Sequence, residues 1–204
     1  SYVWWAIIPL LIAAFLLFDG FAHKLATSAW LALVCGLVGV AALMTVPAIF
    51  TGALTLMERP AEWADFAARG IRFDAQWMPH WVLRYLHVLG AAVAFGAAFH
   101  LFFSARNEKQ KAPLLRKWLL GALAAQAVIG LALLATILPQ LSVPVLSFIS
   151  LGALALGAAV WILRPESSTA DYRLLALLPL IFVSMLLARQ LMQNEALAPG
   201  QAEA

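Results

Sequence analysis

Three of the four histidines in this 204-residue chain lie on one apolar stretch, residues 78–100. They are His80, His87 and His100, and Arg84 sits among them. An ionisable side chain in hydrocarbon costs several kcal/mol, so such groups are rare in membranes and mark function. Imidazole is a common axial ligand of haem iron. Haem ligation is therefore the chemistry this stretch points to. Helix geometry limits which residues can share one iron. His80 and His87 are seven residues apart and share a face, but at 1.5 Å per residue they differ by about 10 Å along the axis. His87 and His100 differ by about 20 Å, so they belong to different levels.

Such groups need long apolar elements to hold them. The composition is 64% hydrophobic and only 11% charged, with mean hydropathy +0.92. Soluble domains carry about 25% charged residues, so the chain reads as an all-α integral membrane protein, a single transmembrane domain over residues 1–204. A span needs about 20 apolar residues. Six segments qualify, at 2–22, 28–57, 80–104, 114–138, 144–164 and 172–193. The first lacks a basic flank and a small-residue cleavage site, so it reads as a retained helix rather than a signal peptide. Pro47 predicts a kink or tilt in the second. Residues 58–79 form one long connection that mixes tryptophans with both charge signs, which suits an interfacial amphipathic helix. Cys35 lies in an apolar span and reads as a packing residue. Without Cys-x-x-Cys-His there is no covalent haem attachment. The net charge of +3 comes from basic residues in short loops, which argues against nucleic acid as a partner.

Those loops orient the bundle. Arg106, Lys109, Lys111, Arg116 and Lys117 lie between the third and fourth spans, Arg164 and Arg173 between the fifth and sixth, and Lys24 between the first and second. By the positive-inside rule these loops face the cytoplasm. Both termini and the 58–79 connection then face the outer, periplasmic side of a bacterial inner membrane.

The topology gives two candidate haem sites. The outer one uses His87, with Met185 or Met192 of the sixth span, or His80 from a distorted helix start, as second ligand. Arg84 and Arg189 are placed to meet haem propionates. The inner site pairs His23, at the end of the first span, with His100. Small residues between Gly90 and Ala98 would let a macrocycle approach, and would equally allow tight helix packing. His80, after Pro79, suits a cap, a propionate contact or a quinone contact. Tryptophans including Trp77 and Trp81 form either an aromatic belt or the rim of a quinone site. His87 also suits an interhelical hydrogen-bond partner, and His23 and His100 suit interfacial, solvated positions.

Two segments carry a family resemblance. They are Gly-Ala-Leu-Thr-Leu-Met-Glu-Arg-Pro-Ala-Glu-Trp from Gly52, and Met-Pro-His-Trp-Val-Leu-Arg-Tyr-Leu-His ending at His87. Together they resemble the cytochrome bd quinol oxidase subunit I superfamily. The resemblance implies that His87 binds a low-spin haem b and that a later methionine, Met192 or Met185, is its second ligand. The chain is far shorter than such a subunit. It lacks a first-span histidine near the outer surface, a buried glutamate and the long quinol loop, so dioxygen reduction is not carried over.

What remains is similar to a reduced, bd-like cytochrome b subunit. The expected function is electron transfer between the quinone pool and a periplasmic c-type cytochrome or iron–sulfur subunit, alongside other membrane subunits and lipid. One haem b is expected, or two if His23 and His100 also ligate. Quinol would bind near the outer surface, with Glu58, Asp74 and His80 as proton acceptors. A haem-free anchor for such a complex is the alternative. A small transporter is disfavoured, because beyond the third span the membrane core is almost without polar residues except Gln126, Thr136 and Arg189.

Overall fold

A computed structural model describes residues 5–57, 64, 68, 78–104, 112–138, 141–163 and 172–201. These residues form α1 (Ile7–Lys24), α2 (Ala29–Met57), α3 (Met78–Ser104), α4 (Ala112–Ile137), α5 (Val143–Ile162) and α6 (Tyr172–Gln201). The described residues are all-helical apart from short turns, and all six helices are long and apolar enough to cross a membrane, as in a multi-pass membrane protein. Many large apolar side chains point outward, among them Phe15, Val128, Leu131 and Leu154, as lipid-facing residues do.

Helix ends differ from the sequence expectation for local reasons. α3 begins at Met78 rather than residue 80, because Pro79 in a first turn forfeits no intrahelical bond. α5 is capped by Ser142, whose Oγ accepts from the Val145 amide at 3.5 Å. The same hydroxyl donates to Glu195 Oε1 at 2.6 Å, which ties down α6 beyond residue 193. α6 therefore stays helical to Gln201.

The chain divides into two compact units, residues 1–55 and 56–204. In the first, α1 and α2 are joined by the short turn at 25–28 and meet through glycines. A Cβ on Gly36 would lie 3.1 Å from the Phe21 ring, and one on Gly39 would lie 3.3 Å from Leu17 Cβ. Cys35 Sγ faces Gly20 and is half-buried, a packing position. α2 runs on through Pro47, where the Thr45 and Thr51 hydroxyls bond the carbonyls of Ala41 and Pro47 at 2.8 Å.

The second unit holds two helical hairpins, α3–α4 and α5–α6, with a smaller contact between α4 and α5. Its buried core joins Ala94, Ala97 and Leu101 of α3, Leu119, Ala122 and Leu123 of α4, and Ala159 and Leu163 at the end of α5. Alanine at the contact lets helix axes approach closely, which is how packing is gained when lipid offers no hydrophobic drive.

Candidate functional site

The α3–α4 seam carries the chemistry. Three contacts fix its antiparallel register. His80 meets Thr136, His87 meets Gly130, and Gly90 meets Gln126. A Cβ on Gly130 would lie 3.3 Å from His87 Cε1, and one on Gly90 would lie 3.2 Å from Gln126 Nε2. Each helix thus sets a polar side chain into a glycine notch on the other.

Gln126 is the most deeply buried polar group of this seam, at 7% exposure. Its Nε2 donates to the His87 backbone carbonyl. Its Oε1 is buried with no hydrogen-bond partner, and so is His87 Nδ1. A buried polar atom without a partner costs about 1–3 kcal/mol. Two such atoms on one seam therefore call for an explanation.

His80 is different, because its Nδ1 has a partner. Its Nδ1 lies 3.1 Å from Thr136 Oγ1. The Thr136 hydroxyl is only 2.6 Å from the Leu133 carbonyl, so its one proton goes there. Thr136 must then accept from His80, which puts a proton on Nδ1. In the neutral ring Nε2 carries the lone pair. His80 lies about 10 Å along the axis from His87, as the spacing predicts.

The other sequence candidates fall as follows. Arg84, Met192 and Arg189 are half-buried. Trp81 stacks on Tyr85 with ring centroids 6.0 Å apart. Met185 lies in the α5–α6 seam, where a Cβ on Gly152 would come within 2.7 Å of its Cε. It is held against α5 rather than brought to His87. His100 is exposed and sets its ring edge-on to Phe99. His23 belongs to the first unit, is exposed, and donates from Nδ1 to the Asp19 carbonyl at 3.0 Å. Glu58, Asp74 and Trp77 lie outside the described residues, as does nearly all of the 58–79 connection. Among the described residues no cluster of three or more His, Cys, Asp or Glu side chains could hold a metal ion. An axial haem site needs only one or two ligands and is not of that kind.

The residue that sequence reasoning passed over is Gln126, read only as one of the few polar groups in the core. Its signal was present. A lone glutamine in an apolar span needs a partner, and Gly130, four residues on, marks the face that partner occupies.

No family model, curated protein or solved structure matches this chain.

Proposed function

We propose that this chain is the haem b-binding membrane subunit of a quinol- or quinone-linked respiratory complex in a bacterial inner membrane. The observation that carries the reading is the His87 imidazole, seated beside Gly130 with Nδ1 buried and unsatisfied. A ligating imidazole normally donates its other N–H to an acceptor, which fixes the tautomer and aims the lone pair. Gln126 Oε1 is an unsatisfied acceptor on the same seam. The two atoms make no hydrogen bond with each other as they stand; a shift of the Gln126 amide that brought Oε1 to a proton on Nδ1 would satisfy both and leave the Nε2 lone pair for iron.

Bound there, haem b supplies a one-electron carrier whose potential depends on axial ligands and burial. Arg84, one turn from His87, offsets propionate charge. Because Met185 is held against Gly152, Met192 is the methionine that would hold the haem together with His87. His80 Nε2 accepts a proton as quinol is oxidised, with Thr136 holding the ring in the required tautomer. Asp74 and Glu58 are the further acceptors, and Trp81 and Trp77 the rim. The electrons leave to a periplasmic c-type cytochrome or an iron–sulfur subunit.

A dithionite-reduced minus oxidised spectrum of the purified protein tests this directly. An α band typical of b-type haem is expected, and His87→Ala should abolish it. A chain with no such band sinks the reading. Retention of half the absorbance in His100→Ala would assign a second haem at the level of His23 and His100.

A haem-free anchor is the second reading. It is favoured by the two glycine notches, which close the α3–α4 seam with His87 and Gln126 as packing groups. It expects no haem band and normal assembly of the partner subunits.

A further inference from the structure

The outer face of the α3–α4 hairpin carries an open groove of about 470 Å³, lined by Gly90, Val93, Lys117, Trp118, Gly121, Ala122 and Ala125. Binding sites for small molecules commonly fall in the range of about 300–1,000 Å³. On α4 the lining residues Trp118, Gly121, Ala122 and Ala125 follow i, i+3, i+4, i+7 spacing, so they form one continuous stripe. Most of the lining is exposed, and a Cβ on Gly121 would meet nothing within 4 Å. Among the described residues of the second unit, nothing fills that floor.

The groove has direction. From Lys117 to Ala125 it spans about 12 Å, close to the half-thickness of about 15 Å that one leaflet contributes to a bilayer core of roughly 30 Å. Its far end, at Gly90, is apolar and lies at mid-depth. Its near end carries the exposed ammonium of Lys117 and the Trp118 ring, a residue pair typical of the headgroup level. The sequence leading into Lys117 is strongly one-signed. Residues 105–117 hold Arg106, Lys109, Lys111, Arg116 and Lys117 against the single acid Glu108. A neutral or zwitterionic occupant would gain little from that cation, whereas a headgroup of net negative charge would.

We infer that this groove is a binding site for an anionic phospholipid of the leaflet next to the α3–α4 connection. One acyl chain lies on Gly121, Ala122 and Ala125, and the phosphate meets Lys117. The site is independent of the haem reading and stands or falls separately.

Native mass spectrometry of the full chain, released from micelles containing equal dioleoyl-phosphatidylglycerol and dioleoyl-phosphatidylcholine, tests it. Preferential retention of the phosphatidylglycerol is expected. Lys117→Gln should lower that preference about fivefold, the worth of one basic group near a membrane surface. Gly121→Leu fills the floor and should abolish retention. Helical content and monodispersity show whether each variant is folded, and the exposed Lys117→Gln remains decisive if Gly121→Leu is not. Lys109→Gln with Lys111→Gln, two charges of the same connection, should leave the preference unchanged. Equal retention of both lipids would overturn the proposal. So would an equal loss in the Lys109/Lys111 variant, which would mean diffuse electrostatics. A dimer that Gly121→Leu converts to a monomer would overturn it in favour of a self-association face.

Discussion

The α3–α4 and α5–α6 hairpins use the same device with different contents. In each, a glycine on one helix receives a side chain from the other. At Gly152 the incoming groups are Met185 Cε and Ser184 Oγ, at 2.7 and 2.8 Å from where a Cβ would sit. Both are satisfied locally. The thioether is apolar, and the Ser184 hydroxyl donates to the Ile181 carbonyl at 2.9 Å. At Gly130 and Gly90 the incoming groups are His87 and Gln126, and each retains a buried polar atom without a partner. A seam built only for packing has no reason to bury those atoms. The contrast teaches that the Gly152 notch is a structural clasp, while the Gly130 and Gly90 notches give up some stability for groups that are kept available. Polar groups retained at such a cost in apolar surroundings mark function.

The largest effect is expected where the notch is tightest. Gly152→Ala places a carbon in collision with a short, buried side chain as well as a flexible one. Overpacking of this kind costs about 1–3 kcal/mol, and the upper end is expected because Ser184 cannot swing away. Denaturant unfolding in detergent micelles checks it. If Gly152→Ala is as stable as the parent, the clasp reading of α5–α6 is wrong.

The second effect bears on function rather than stability. Gln126→Leu removes the donor to the His87 carbonyl, worth about 1 kcal/mol, and also removes an unsatisfied oxygen of similar cost. The net change in unfolding free energy should stay within about 1 kcal/mol. Haem retention should nevertheless fall about 10- to 100-fold, the usual cost of losing a group that orients a metal ligand. A variant that keeps full haem affinity would make Gln126 a packing residue like Met185 and erase the contrast.

The two hairpins were not equally legible in the sequence. Six apolar runs of spanning length gave the helices, because length and hydropathy alone decide that much. His87 stood out because an ionisable residue in such a run is costly. The depth separation of His80 from His87 followed from the helical rise alone. The partners of these groups were not legible. Whether His87 faces α4 or α6 depends on the rotation of each helix about its axis. Inside a membrane that rotation is set by small-residue notches rather than by a hydrophobic stripe. Lipid-facing and protein-facing sides are both apolar, so periodicity does not tell Met185 against Gly152 from Met185 against a haem. The proton on His80 Nδ1 was equally hidden, because it depends on Thr136, 56 residues away.

Smaller effects sharpen the comparison further. Gly130→Ala brings a carbon to 3.3 Å from His87 Cε1, so the ring must shift by a few tenths of an ångström. The expected stability loss is about 1 kcal/mol, at the mild end of overpacking. If His87 ligates iron, the same shift should move the haem reduction potential, while Gly152→Ala should leave it alone. A potential that responds equally to both would mean that the seams are not distinct.

The smallest effect comes from a glycine that receives nothing. A Cβ on Gly157 of α5 would meet no atom within 4 Å, so Gly157→Ala adds no collision. Alanine is the better helix former by up to about 1 kcal/mol, so stability should be unchanged or slightly raised. The pair lies on one helix, but Gly152 faces α6 and Gly157, five residues on, points to another side of α5. Opposite signs for the two substitutions would establish that notch filling, and not glycine content, holds α5 to α6. A loss at Gly157 comparable to that at Gly152 would point instead to a partner surface docking on that face, and α5 would then have two working sides.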